Sequence, residues 1–197
     1  MNDDIKLVLY DELCKNSRVL VELAEKLSKC EKLDVSILNE MNYFLSSIYR
    51  EITNISEEMG DIFNFDVFNL DALKISNMSL EDFAYLFVRY AEASLIVLLN
   101  FIGAIAEGHL LEKRYLDILL LSSLFNILLS QEYLILSNNK LSGIDKNKYF
   151  NEINEKKQYL DGIEINSEYL RKLGLKEDIM LSFPTIDGRK LERILIN

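Results

Sequence analysis

FIGAIAEGHLLEKRY, residues 101–115, lies between two long uncharged runs, Ala93–Ala106 and Ile118–Ser130, and its reading decides how the chain is folded. Taken as one continuous helix, Ser79 to Ser137 would extend about 88 Å, too long for a domain of this size. A break is required. Gly108 is the residue best able to take the left-handed backbone that ends a helix. His109 then opens a return helix, and the stretch becomes a corner between two antiparallel segments.

The same fifteen residues hold the only histidine and two of the seven glycines, so other chemistries compete with the corner. Gly103 and Gly108 have the G-x-x-x-x-G spacing of a phosphate loop. His109 stands where the lysine belongs, however, and no strand precedes it. His109 and Glu112 could share a helix face near Glu92 and Glu107, but a di-iron carboxylate bundle takes a Glu-x-x-His from each of two helices, and one histidine supplies half of that. With no G-x-S-x-G element and no histidine near either cysteine, nucleophilic hydrolysis is not expected. No catalytic set, cofactor or metal is expected.

The rest of the 197 residues point to helices. One proline, Pro184, and few glycines leave little of the punctuation that all-β folds need. MNDDIK is acidic where a secretory leader would be basic, which suggests a cytoplasmic protein. Cys14 and Cys30, on one predicted helix, are separated by roughly 24 Å of rise, so two reduced thiols are expected rather than a disulfide. The charge is uneven. Leu33 to Glu112 holds three basic residues against thirteen acidic ones and carries the entire net charge of −10. Such a surface repels nucleic acid and suits solvent or a basic protein partner.

The first helix is predicted over Asp3–Lys29, with Ile5, Leu9, Leu13, Leu20, Ala24 and Leu27 on one face and an interruption at Asn16–Ser17. Asp34 is the predicted N-cap of the second. There Leu38, Met41, Leu45, Ile48, Ile52, Ile55 and Met59 repeat at alternating spacings of three and four, a heptad seam that ends at Gly60. Residues 61–78, DIFNFDVFNLDALKISNM, read either as a mobile segment that docks elsewhere or, as expected from their aromatic density, as a crossover whose Phe63, Phe65 and Phe68 pack over the end of a bundle. Ser79 with Asp82 makes a capping box for a third helix reaching Glu107, and a fourth runs from about Leu110 to Ser137. Their uncharged runs should form the buried pair. After Gly143 the text is polar: one helix, a short second one, and a closing segment that is either a hairpin at Asp187–Gly188 or a strand followed by a helix.

Together these make an all-α chain: an up-and-down four-helix bundle of long helices with one long crossover over residues 1–140, and a small helical or β-hairpin appendage over 141–197 packed on or beside it. The function expected is non-enzymatic, that of an adaptor, regulator or assembly subunit with an acidic face. The heptad seam is the candidate interaction surface, either inside the bundle or between two copies in a homodimer.

Two alternatives come from other classes. Glu22-x-x-Glu25 and Glu58-x-x-Asp61 resemble the paired acidic motifs of the all-α nucleotide pyrophosphohydrolases, and the resemblance implies Mg²⁺ held by these four carboxylates beside a pyrophosphate. It covers only these short pieces, thirty-two residues apart, in a region with few basic residues to hold phosphates. The second is a membrane hairpin that inserts when triggered. The uncharged runs, at fourteen and thirteen residues, fall short of the about twenty that a span needs, so a membrane is not the expected partner.

Overall fold

The computed structural model describes residues 1–30, 33–60, 77–108 and 113–158. They form five α-helices and, among the described residues, no strand: α1 (Asp3–Lys29), α2 (Val35–Gly60), α3 (Leu80–Ala106), α4 (Lys113–Ser137) and α5 (Gly143–Lys157). The chain is all-α. Phe63, Phe65, Phe68 and Asp61 of the expected crossover, His109 and Glu112, and the C-terminal segment from residue 159 on lie outside the described residues.

Local chemistry sets the helix ends. Asn2 Oδ1 accepts from the Asp4 amide at 3.1 Å, and Asp34 Oδ1 accepts from the Ile37 amide at 2.8 Å, so each satisfies an amide the first turn leaves unpaired. Ser79 and Asp82 close a reciprocal capping box on α3. Ser142 caps α5 through the Asp145 amide at 3.2 Å. α3 ends as the corner requires. Gly108 has φ +91°, and its amide bonds back to the Ile105 carbonyl at 3.0 Å.

The C-terminus of α4 has no basic residue in its own last turn and is capped from outside. Lys6 Nζ of α1 donates to the Ser137 carbonyl at 2.7 Å, and Lys146 Nζ of α5 donates to the Leu136 carbonyl at 2.9 Å. Asn138 Nδ2 adds a bond to the Asp3 carbonyl at 2.9 Å. These contacts fix α1, α4 and α5 at one end of the molecule.

Successive helices run antiparallel. Lys26 of α1 pairs with Glu40 of α2. Thr53 Oγ1 of α2 donates to Glu92 of α3 at 3.1 Å, and Ser130 Oγ of α4 donates to the Ala84 carbonyl of α3 at 2.9 Å. α3 and α4 have the most extensive mutual packing. α1 also lies along α4, and α2 along α3. α5 rests on α4 and touches α1, so α4 has three neighbours.

Asn16 and Ser17, the polar residues that interrupt the apolar face of α1, leave the helix unbroken, while two other expectations need correction. Both residues are buried, and each returns its side-chain hydrogen bond to a carbonyl of its own helix, Glu12 and Cys14 respectively, so the polar groups are satisfied without a break. Ile5 of the same helix is exposed rather than in the core. The two uncharged runs are also unequal. Every residue from Ile118 to Leu128 is buried, whereas in Ala93–Ala106 only Ser94, Leu95, Leu98 and Ile102 are.

Candidate functional site

The seam of α2 faces inward. Leu38, Met41, Leu45, Ile48, Ile52, Ile55 and Met59 are all buried in the single chain. Of the two readings of the seam, inside the bundle or between two copies, the burial supports the first. The stripe is already spent on α3 and α1, which lie along it. A heptad spacing specifies a partner helix at a shallow angle and is satisfied equally well by a neighbour from the same chain.

Nor does the structure bring together the described carboxylates. Lys26 and Glu40 mark one level of the antiparallel pair α1–α2. Glu22 lies one turn from that level and Glu58 eighteen residues from it in the same direction, which leaves them about 20 Å apart along the helix axes. Glu22 and Glu58 are exposed and Glu25 is partly buried. Among the described residues, no group of three His, Cys, Asp or Glu side chains is placed to hold a metal ion.

Two other regions stand out. The first is the end of the molecule formed by the C-terminal half of α3 and the N-terminal half of α2. From the contact of Thr53 with Glu92, ten residues back along α2 and ten forward along α3 put Tyr43 and Phe44 level with Phe101 and Ile102. Tyr43 is 73% exposed and Ile96 43%, and Phe44 is also exposed. Gly103 faces open space, with no atom within 4 Å of where a Cβ would lie. By length and composition α3 and residues 115–137 would each be able to cross a membrane. However, 83% of the most apolar stretch of the latter is buried inside the protein, against 44% for α3. The first figure is that of a core helix. The second describes an apolar helix with one side uncovered. On the adjoining part of α4, Asp117 has no ion-pair partner among the described residues. Burial pushes its carboxyl above the ordinary value, against the opposing charge of Lys113.

The second region is a polar cluster set between α1, α4 and α5. Gln131 Nε2 donates to Cys14 Sγ at 3.2 Å and lies 3.5 Å from Ser17 Oγ. Lys156 Nζ is 3.6 Å from the same sulfur and 3.2 Å from Glu152 Oε1, which Arg18 also meets at 3.3 Å. Burial acts to raise the Glu152 carboxyl, and the Lys156 ammonium and Arg18 outweigh it, leaving it below its ordinary value. Burial raises the Cys14 thiol, so the sulfur is held as S–H. Tyr10 packs edge-on against Tyr149 at 4.9 Å, and burial, with Cys14 beside it, raises its phenol.

Neither region was marked by sequence motifs. The cluster joins residues up to 142 apart in the chain, and the outer side of α3 differs from the inner side of α4 only in the number of neighbours. Compared with known protein families, with curated proteins and with solved structures, the chain finds no match in any of the three.

Proposed function

We propose that α1–α4 form an up-and-down four-helix bundle with α5 packed on its side, and that the protein works in the cytoplasm as a non-enzymatic interaction protein, an adaptor, regulator or assembly subunit. Its self-association runs through the outer side of α3, around Ile96, Asn100 and Gly103.

The observation that carries this is the half-uncovered, charge-free run Ala93–Ala106 on a chain of net charge −10. Two copies of an acidic protein repel each other over most of their surface. A neutral helix face is where that repulsion is least, and Ala93, Gly103 and Ala104 are small enough for two helices to approach closely. Exposed Glu51, Glu57 and Glu58 on α2 stay free of this contact and would meet a basic protein partner.

Sedimentation velocity over a range of concentrations tests the proposal. Wild type should pass from monomer to dimer, and Ile96→Asp should stay monomeric with unchanged helical content. A strictly monomeric wild type, or undiminished association of the variant, would overturn it. A lipid surface competes for the same helix face. Co-flotation of wild type with zwitterionic vesicles, lost in Ile96→Asp, would replace self-association with membrane docking. Melting with Mg²⁺ and a nucleotide panel should leave the midpoint unchanged, and stabilisation would favour the hydrolase alternative.

A further inference from the structure

Cys14 is surrounded by more chemistry than a structural thiol needs. Its sulfur lies within 3.7 Å of an amine, a carboxylate and a carboxamide: Lys156 Nζ, Glu152 Oε1 and Gln131 Nε2. The Lys156 side chain is 11% exposed, so amine and thiol meet away from bulk water. Two further polar atoms of the same cluster, Tyr10 Oη and Gln131 Oε1, are buried without a hydrogen-bond partner. The phenol faces the Cys14 sulfur without closing a bond of normal geometry on it. Unpaired buried polar atoms are costly, and the two side chains that carry these atoms both meet one sulfur, where an added oxygen atom would find groups able to bond it.

We propose that Cys14 and Lys156 are the two ends of an oxidative cross-link, a sulfur–oxygen–nitrogen bridge that forms on exposure to hydrogen peroxide and ties α1 to α5. One peroxide takes two electrons from the Cys14 sulfur. The thiol becomes a sulfenic acid and one water leaves. Lys156 passes its ammonium proton to Glu152, whose partly exposed carboxylate relays it to solvent. A second peroxide takes two electrons from the Lys156 nitrogen. One N–H bond and the sulfenic O–H bond break, the O–N bond forms, and two more waters leave. One oxygen remains in the bridge. Gln131 Oε1 accepts from the sulfenic hydroxyl in the intermediate, and Tyr10 Oη donates to the bridging oxygen in the product. Peroxide reaches the sulfur past Glu152 and Arg18, the solvent-facing members of the cluster.

Cys30 is the internal control. Its sulfur is partly exposed at the end of α1, donates to the Lys26 carbonyl at 3.1 Å, and has no lysine amine bonded to it among the described residues. Full-length wild type would be treated with hydrogen peroxide, digested and read by mass spectrometry. The expected product joins the peptides of residues 14 and 156, is heavier than their sum by one oxygen less two hydrogens, and separates again on treatment with a phosphine. Oxidised wild type should also melt above its reduced form, because the bridge closes a loop of more than one hundred residues. Lys156→Arg keeps the charge and should abolish the cross-link while leaving Cys30 oxidation unchanged. Sulfenic or sulfinic acid on Cys14 with Lys156 unmodified would overturn the proposal, as would a Cys14 that resists peroxide while Cys30 is oxidised.

Discussion

α3 and α4 are neighbours with nearly the same kind of sequence, and the molecule treats them differently. Each contains a charge-free run, of fourteen residues in one and thirteen in the other. In α4 that run is buried almost throughout, and α1, α3 and α5 all pack on the helix. In α3 it is covered by α2 and α4 and left open on the outside. The first half of α3 is different again. Ala84 to Val88 are five consecutive buried residues, held at the end where Lys6, Glu81 and Ser137 meet and where Tyr133 stacks on Phe83 and Phe87 at 5.2 and 5.6 Å. Apolarity thus sets how much burial a helix tolerates, and the number of neighbours sets how much it receives.

The contrast predicts unequal costs for matched truncations. Leu124→Ala, in the closed part of α4, should destabilise by about 2–5 kcal/mol in chemical denaturation, whereas Ile96→Ala should cost less than about 1 kcal/mol. Equal costs would mean that α3 is as enclosed as α4.

Next in size is the ion cluster that closes the tight end. Lys6 Nζ lies 2.5 Å from Glu81 Oε1 and 2.9 Å from Asp3 Oδ1, with its side chain 2% exposed. Lys6→Met would take the side-chain donor from the Ser137 carbonyl and leave Glu81 with the chain's amino group alone, at a cost of roughly 2 kcal/mol. pH supplies a second measure. Burial acts to raise the Glu81 carboxyl, and bonds from Lys6 and the chain's amino group outweigh it, so its folded pKa lies below the ordinary value. Its stabilisation is therefore complete above the ordinary carboxylate range and is lost as pH falls through the folded pKa. Acid titration of stability should be shallower in Glu81→Gln than in wild type.

Much of this arrangement was written in local sequence. The four long helices, the Ser79–Asp82 box, the Asp34 cap and the corner at Gly108 all rest on interactions within a few residues, which spacing and residue type reveal. What was not legible depends on which surface meets which. The α2 heptads specified an apolar neighbour without saying whose it was, and Asn16–Ser17 read as an interruption of the apolar face because their bonds to backbone carbonyls are invisible in the sequence. Cys14 read as no more than a reduced thiol because Gln131, Glu152 and Lys156 approach it only once α4 and α5 are in place.

The smallest expected effects come from Gly103 within α3 and Gly108 just beyond its end, and they should have opposite signs. Gly103 sits within the helix facing open space, so Gly103→Ala should stabilise by about 0.5–1 kcal/mol. At Gly108, φ +91° is unfavourable for any side chain, and Gly108→Ala should destabilise by about 1 kcal/mol.

Docking of a second copy on the uncovered half of α3 should register in hydrogen–deuterium exchange at low and high protein concentration. Protection over residues 93–106 should rise with concentration, while that of residues 118–128, already enclosed by their own chain, should not change. Exchange over residues 93–106 that is independent of concentration would contradict it.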